Sequence, residues 1–250
     1  MLQHLLIFGL GHLANFIIKQ NKSFTISGTY RSDNPINNKV NHAIKFELGD
    51  ELFDLSRYKR IIVNFPPQEK LLEFIKCLLK NTNDSQEVIF VSSTSVFGTG
   101  HNDESSTLNG IPHSGPYLLD IEAYLRDKEC IIIRPGGLVD AKRNPINFFK
   151  RSKHISDIQN HINYIHTEDV ARFLLKDSFN DNSYNLVAPI KYTKEKFYKR
   201  LLENQLDEFS FEKTDKADRV VSSQRAAVKE FDFLYPDLLN YFLELSDSNK

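Results

Sequence analysis

Short apolar runs recur along the chain, and segments with helical spacing separate them. The runs are continuously apolar rather than alternating, which is typical of strands in a parallel sheet that helices cover on both faces. Strands that alternate with helices in this way predict a doubly wound α/β fold. One helix is predicted over residues 69–79, where leucine and isoleucine side chains share a face. The predicted strands of this part of the chain span residues 5–8, 25–29, 43–48, 60–65, 87–92 and 130–134.

The first predicted strand ends in a glycine-rich turn, Gly9-Leu10-Gly11, which Ala14 and a helical segment follow. Gly9 permits a sharp turn, Gly11 lets a phosphate approach the backbone, and Ala14 lets the helix pack closely on the strand. The free N–H groups at the start of that helix would face the phosphate. An ordinary strand-to-helix turn is the alternative interpretation. Because a second strand follows at the spacing of a βαβ unit, we predict a dinucleotide-binding Rossmann fold.

The residues that close the second strand, Tyr30-Arg31-Ser32, indicate which dinucleotide is preferred. An acidic residue there would accept hydrogen bonds from the ribose 2′-hydroxyl and favour NAD. Arg31 instead offers a forked cation that suits a 2′-phosphate, and Ser32 can add a donor. We therefore predict NADP as the preferred cofactor, with NAD as the second choice. The alternative is that Arg31 is a solvated loop residue.

Beyond residue 137 the pattern becomes less regular. Thr167 is the predicted N-cap of a helix with Glu168 and Asp169 in its first turn. His166 and Asp169 suggest acid–base chemistry, but we favour a structural hydrogen bond and a cap. We predict a Rossmann core over residues 1–140 and a small lobe over residues 141–250, with elements that return to the core. The other elements predicted here are strands over residues 163–166 and 184–188 and helices over residues 194–206 and 228–245.

Composition narrows the class of protein. A chain of 250 residues can bury a large core in one domain or in one domain with a small lobe. Its net charge of −1 gives no electrostatic argument for binding nucleic acid or a membrane. Cys77 and Cys130 lie in apolar runs, which predicts two buried free thiols without metal spacing. With neither a signal-peptide pattern nor a transmembrane stretch, the sequence predicts a cytoplasmic protein.

The segment over residues 141–154 is basic and follows the last strand of the predicted core. Ligands of open α/β sheets bind at the carboxyl ends of the strands, so this segment is a candidate site for an anionic small-molecule substrate. Most such basic runs are solvated surface, which is the alternative interpretation.

Six segments occur in an order that is typical of one family. Together they resemble the NAD-dependent epimerase/dehydratase proteins of the short-chain dehydrogenase/reductase superfamily, in particular the atypical branch with a shortened glycine motif. The resemblance covers roughly residues 4–240. The segments are Gly9-Leu10-Gly11, Asn64-Phe65-Pro66-Pro67, residues 91–98, residues 134–138, residues 164–171 and residues 184–189.

The resemblance implies a Rossmann domain with a small C-terminal substrate lobe. It implies that Ser93 hydrogen-bonds the reacting hydroxyl of a small hydroxyl or carbonyl substrate, for example a nucleotide sugar. The alternative is that Ser93 and its neighbours only order their own loop. The cofactor-binding residues that the resemblance implies are Gly9, Leu10, Gly11, His12, Leu13, Arg31, Ser32, Phe65, Pro66, Pro67, Ser92 and Pro135.

One departure from the family concerns the catalytic pair. Active relatives carry a tyrosine and, four residues later, a lysine whose charge activates the tyrosine as a base. If Tyr117 is that tyrosine, Ile121 occupies the lysine position; if Glu122 sets the register, the two positions hold Ser114 and Leu118. The lysine is absent either way. With Ser93 and Tyr117 as candidate catalytic residues, we predict an NAD(P)-dependent enzyme of the epimerase/dehydratase or reductase type. The alternative is a non-catalytic NADP-binding sensor or partner protein.

Overall fold

A computed structural model describes residues 3–32, 36, 39–110 and 115–247. The strands are β1 (Gln3–Phe8), β2 (Phe24–Tyr30), β3 (His42–Lys45), β4 (Arg60–Val63), β5 (Glu87–Val91), β6 (Gly100–Asn102), β7 (Ile131–Pro135), β8 (Gly137–Val139), β9 (His154–Ile155), β10 (Tyr164–His166), β11 (Ser183–Leu186), β12 (Ser210–Phe211) and β13 (Arg219–Val221). The α-helices are α1 (His12–Gln20), α2 (Leu71–Lys80), α3 (Gly115–Leu125), α4 (Thr167–Leu174), α5 (Lys194–Leu201), α6 (Ala226–Lys229) and α7 (Leu238–Asp247).

Seven strands form a parallel central sheet in the order β3-β2-β1-β4-β5-β7-β11. The chain leaves β1 toward one edge, returns to β4 and then continues toward the other edge. This order confirms the predicted doubly wound α/β fold. The carboxyl ends of all seven strands lie at one edge of the sheet, and the order reverses between β1 and β4, where such folds bind ligands.

Alternate residues of β1 face opposite layers of core. Leu5 and Ile7 pack with α1 and α4, whereas Leu6 and Phe8 pack with α2 and α3. All four side chains are fully buried. The burial of each large apolar side chain contributes about 1.5–3 kcal/mol to the stability of the fold. This two-sided burial explains why the strand is continuously apolar.

The C-terminal part of the chain adds a third apolar cluster, in which α5 packs against α7 through Phe197, Tyr198 and Phe242. Three short parallel pairs, β8 with β10, β9 with β12 and β6 with β13, connect this part to the loops above the sheet. Strand β11 returns to the central sheet beside β7. The division at residue 140 stays a prediction.

The predicted helix over residues 228–245 is wrong. The chain forms α6 and α7 instead, and the segment between them over residues 230–237 is neither helix nor strand. The carboxylate of Asp169 accepts the backbone N–H groups of Leu234 and Tyr235, which removes these groups from helical bonding. Pro236 follows directly and lacks an N–H group.

Three local predictions also need correction. Helix α5 ends at Leu201, and a 3-10 helix over Glu203–Glu208 follows where one continuous helix was predicted. Thr167 is the first helical residue of α4, because the cap is the side chain of His166. Cys77 is exposed, whereas Cys130 is buried as predicted, and both thiols are free. Within the described residues, no helix is long and apolar enough to span a bilayer, and no cluster of side chains could hold a metal ion.

Candidate functional site

The turn after β1 depends on glycine at its first position. Gly9 has φ of +98°, which is left-handed backbone that favours glycine. A Cβ atom at this position would lie 2.9 Å from the carbonyl oxygen of Asn64. The N–H of Gly9 donates to Thr29 Oγ1 at 3.0 Å, which ties the turn to β2. The sharp turn predicted at Gly9 is therefore present, with β2 and the end of β4 packed closely around it.

The second glycine of the turn leaves open space. Gly11 is exposed, and no atom of the described residues lies within 4 Å of a Cβ added there. It is the N-cap of α1, and within the described ranges no side chain caps the first N–H groups of this helix. A phosphate can therefore approach the start of α1 and meet its positive end.

A cleft of about 640 Å³ opens beside this turn at the carboxyl ends of β1, β2 and β4. Seven of the predicted cofactor residues line it: Gly9, Leu10, Gly11, Arg31, Ser32, Phe65 and Pro66. Lining residues that sequence reasoning missed are Thr29, Tyr30, Phe46, Glu47, Leu48, Asn64, Gln68, Glu69 and Lys70. Their only sequence signal was their place at or just after predicted strands and at the start of a predicted helix.

The other predicted cofactor residues lie outside the lining of this cleft. Leu13 is buried in the core against the sheet, and Pro135 is the last residue of β7. Pro67 is half-buried beyond the cleft. His12 and Ser92 make specific hydrogen bonds toward the other half of the sheet edge.

His12, the first residue of α1, is held by a carboxylate from the far half of the chain. Its Nε2 donates to Asp140 Oδ2 at 2.6 Å, and Thr167 Oγ1 donates to the same oxygen at 2.6 Å. Burial opposes ionisation of Asp140, but the hydrogen bonds from Thr167 and His12 outweigh it and hold the pKa of this carboxyl below its usual value. Asp140 therefore positions the imidazole of His12 next to the glycine turn.

The two serines after β5 have different surroundings. The hydroxyl of Ser92 is buried and donates to Glu122, which also forms a buried ion pair with Arg134. Ser93 is half-buried, and its Oγ accepts the N–H of Ser95, which caps the short helical turn Thr94–Val96. In the described part of the chain, no acceptor binds the hydroxyl proton of Ser93.

Helix α3 contains both positions that could correspond to the catalytic lysine of active relatives. Leu118 and Ile121, the two possible lysine positions, are both buried in the core. The side chain of Tyr117 is 41 % exposed on the same helix. Ser114 lies outside the described residues. In either register the lysine position is therefore filled by a core side chain rather than by a polar group.

His166 is a structural residue, as we favoured from the sequence. Its Nδ1 accepts the N–H of Glu168 at 3.2 Å and caps α4, while its ring lies 3.7 Å from that of Tyr235, measured between centroids. Burial lowers the pKa of His166 to about 4 and outweighs the attraction of Asp140. The imidazole is thus neutral in the folded protein at neutral pH.

This neutral histidine predicts a pH-dependent stability. The unfolded chain protonates His166 near its ordinary pKa of 6.5, whereas the folded protein does so only near 4, so the unfolded state binds more protons in between. We expect the free energy of unfolding to fall by roughly 3 kcal/mol as the pH drops through this interval. Urea unfolding from pH 7 to pH 4 measures this loss.

The matched variant for this measurement is His166→Asn, whose side-chain oxygen can still cap the N–H of Glu168. We expect the unfolding free energy of the variant to vary less with pH than that of the parent. Identical pH profiles for the two proteins would show that His166 does not account for the acid sensitivity.

The basic segment over residues 141–154 lies at the surface. Lys142 and Arg143 donate their backbone N–H groups to Asp140, and their side chains are exposed. Lys153 pairs with Glu208 at 2.8 Å. These placements favour the solvated-surface interpretation of this segment.

Comparisons with solved structures define the class of fold. No protein-family model matches the sequence, and no curated protein matches it significantly. A conserved protein of unknown function from Silicibacter pomeroyi has a TM-score of 0.78 at 18 % identity, covering 98 % of this chain and 99 % of that one. A protein described as an NAD-dependent epimerase/dehydratase from Methylobacillus flagellatus has a TM-score of 0.75 at 18 % identity, with 100 % of both chains covered. The human epimerase family protein SDR39U1 with NADPH has a TM-score of 0.73 at 13 % identity, covering 98 % and 99 %.

These similarities confirm the predicted resemblance at the level of the fold. The chain has the Rossmann architecture of NAD-dependent epimerase/dehydratase and atypical short-chain dehydrogenase/reductase structures over almost its whole length. At identities of 13–18 %, these similarities show the fold alone.

Proposed function

We propose that this protein binds a nicotinamide dinucleotide, NADP in preference to NAD, and acts as an NAD(P)-dependent enzyme of the epimerase/dehydratase or reductase type. The observation that carries this proposal is the glycine turn with open space over Gly11 beside a cleft that contains Arg31. Structural neighbours with NADPH or NAD bound support a nicotinamide cofactor. The two free cysteines fit the reducing cytoplasm, which we propose as its location.

The residues of the cleft can be assigned to successive parts of this cofactor. The turn at Gly9 and Gly11 and the uncapped start of α1 would hold the pyrophosphate. Arg31 and Ser32 would contact the ribose 2′-phosphate of NADP, and Lys70 lines the same cleft as a second cation. Phe65 and Pro66 form part of an apolar wall for the adenosine.

The preference for NADP is tested with Arg31→Ala. We expect the variant to bind NADPH at least about tenfold more weakly, because it loses a charge-assisted contact with the 2′-phosphate. NADH affinity should change little, since NADH carries a neutral 2′-hydroxyl in place of the charged phosphate and gains no charge-assisted contact from Arg31. Fluorescence titration with NADPH and NADH measures both constants.

The control is Arg200→Gln, which removes an exposed arginine paired with Glu203 outside the cleft. This variant should bind both cofactors as the parent does. Equal losses of NADPH and NADH affinity in Arg31→Ala would contradict the role assigned to Arg31.

The nicotinamide supplies hydride transfer when it is bound, and the chain must orient the substrate and move a proton. Ser93 would donate its hydroxyl proton to a substrate oxygen. Tyr117, or a group on the substrate itself, would accept the proton that the hydroxyl group of the substrate loses. We propose as substrate a small hydroxyl or carbonyl compound, for example a nucleotide sugar.

A second candidate function rests on the buried side chains of Leu118 and Ile121. Because neither position carries a lysine, the protein can instead be a non-catalytic NADP-binding sensor or partner protein. Turnover of NADPH with a panel of carbonyl compounds and nucleotide sugars distinguishes the two. An enzyme loses its turnover in Ser93→Ala, whereas a sensor binds NADPH and oxidises it with none of the panel.

A further inference from the structure

A half-buried arginine without an acidic partner lies near the proposed reaction site. Arg219 is the first residue of β13, and its Nη1 donates to the carbonyl oxygen of Phe97 at 3.3 Å. Among the described residues, no carboxylate forms an ion pair with this guanidinium. Burial lowers the pKa of Arg219, and no neighbouring carboxylate opposes that shift. A partly desolvated cation of this kind gains free energy when an anion binds to it.

The nearest carboxylate in sequence is already occupied. Asp218 Oδ2 accepts a hydrogen bond from His161 Nδ1 at 2.5 Å. Asp218 Oδ1 accepts the backbone N–H groups of His161 and Arg219. This carboxylate therefore fixes the backbone at Arg219 and leaves the guanidinium uncompensated.

The position of β13 places Arg219 above the carboxyl ends of β5 and β7. Phe97, which binds its guanidinium, directly follows the turn that Ser93 caps. On the other side, Asn163 Nδ2 donates to the carbonyl oxygen of Arg219 at 2.7 Å, and the carbonyl oxygen of Asn163 accepts the N–H of Gly137 at 2.8 Å. Arg219 thus lies between the loop of the candidate catalytic serine and the segment that follows β7.

A second half-buried cation contacts the same strand. Lys191 Nζ donates to the carbonyl oxygen of Val221 at 2.9 Å, and burial lowers the pKa of Lys191 to about 8. In the described part of the chain, Lys191 likewise has no carboxylate partner. Arg219 on β13 and Lys191 beside this strand are two uncompensated cations, and together they raise the positive potential of this region.

We propose that Arg219 binds an anionic group, a phosphate or a carboxylate, of the substrate that reacts with the bound cofactor. The planar guanidinium can donate two parallel hydrogen bonds to either group. This assignment rests on the proposed function, because the anion would be held beside the serine at the nicotinamide end. It defines the substrate class as an anionic hydroxyl or carbonyl compound.

The experiment uses the full chain saturated with NADPH, so that the glycine turn is filled before an anion is added. Inorganic pyrophosphate and malonate are the probes for a phosphate and a carboxylate group. Calorimetric titration measures the affinity of each probe for the parent, Arg219→Gln, Arg219→Lys and the control Arg200→Gln. We expect Arg219→Gln to bind the preferred probe at least about tenfold more weakly, Arg219→Lys to retain part of the affinity, and Arg200→Gln to match the parent.

The outcomes separate the two proposals. Loss of probe binding in Arg219→Gln with unchanged NADPH affinity supports the assignment, and the stronger probe identifies the anionic group. Thermal unfolding without probe, together with Arg219→Lys, shows whether Arg219→Gln is folded. Equal probe affinity in the parent and in Arg219→Gln would overturn the role proposed for Arg219. No probe binding to the NADPH-loaded parent would overturn it as well. Failure of the parent to bind NADPH overturns the proposed function itself.

Discussion

Gly9→Ala is expected to destabilise the protein and to abolish cofactor binding. The alanine would have to adopt φ of +98°, with its Cβ 2.9 Å from the carbonyl oxygen of Asn64. Backbone strain of this kind costs about 1–3 kcal/mol, and relief of the close contact would displace the turn from the phosphates. Urea unfolding and NADPH titration of the variant measure the two effects.

Two other glycines serve as matched controls for this prediction. Gly100 has φ of +95°, but no atom in the described part of the protein lies within 4 Å of a Cβ added there, and it lies outside the cleft. Gly100→Ala should lose stability through backbone strain and still bind NADPH. Gly11→Ala has no positive φ and no close contact. It should keep the stability of the parent and lose NADPH affinity, because its methyl group fills the space of the phosphate.

These three variants test the site and the fold separately. If Gly11→Ala bound NADPH as tightly as the parent, the turn would not hold the pyrophosphate. If Gly9→Ala were as stable as the parent, the close packing of the turn against Asn64 would not constrain it.

Glu122→Ala is expected to cost about 3–5 kcal/mol of stability, since removal of one partner of a buried ion pair leaves the other charge uncompensated. Glu122 Oε2 accepts from Arg134 Nη2 at 2.7 Å, and the two side chains are 0 % and 6 % exposed. The substitution also removes the acceptor for the hydroxyl of Ser92. Urea unfolding of parent and variant measures the loss.

Two further variants show whether the cost comes from the unpaired charge. The double variant Glu122→Leu with Arg134→Met replaces both charges by apolar groups, and we expect it to be more stable than Glu122→Ala. Glu203→Ala breaks the exposed pair with Arg200 and should cost less than about 1 kcal/mol. A double variant as unstable as Glu122→Ala would mean that shape rather than charge determines the loss.

Much of the fold could be predicted from the sequence because its signals are local. The continuous apolar run before Gly9 predicts a strand buried on both faces, and in the structure Leu5 and Leu6 pack against opposite layers. The glycine turn could be predicted because its requirements depend on residues within one βαβ unit. The helix predicted over residues 228–245 failed because the carboxylate of Asp169, distant in sequence, binds its backbone.

The candidate site could be predicted only in part, for the same reason. Arg31 follows a recognisable strand, so its place beside the cleft could be predicted from its neighbours. Lys70 and Phe46 also line the cleft, but nothing in their local sequence distinguishes them from other residues near strand or helix ends. Contacts between distant segments carry no periodic signal.

The sequence by itself determined the parallel sheet, the glycine turn and the absence of a lysine from helix α3. Only the tertiary structure decided that Asp140 holds His12 across 128 positions and that Arg219 reaches Phe97, in the loop after Ser93, across 122 positions. The physical reason is the range of the forces involved. Backbone conformation and hydrophobic periodicity depend on a few neighbouring residues. A buried charged side chain contacts a distant partner only when the folded chain brings the two together.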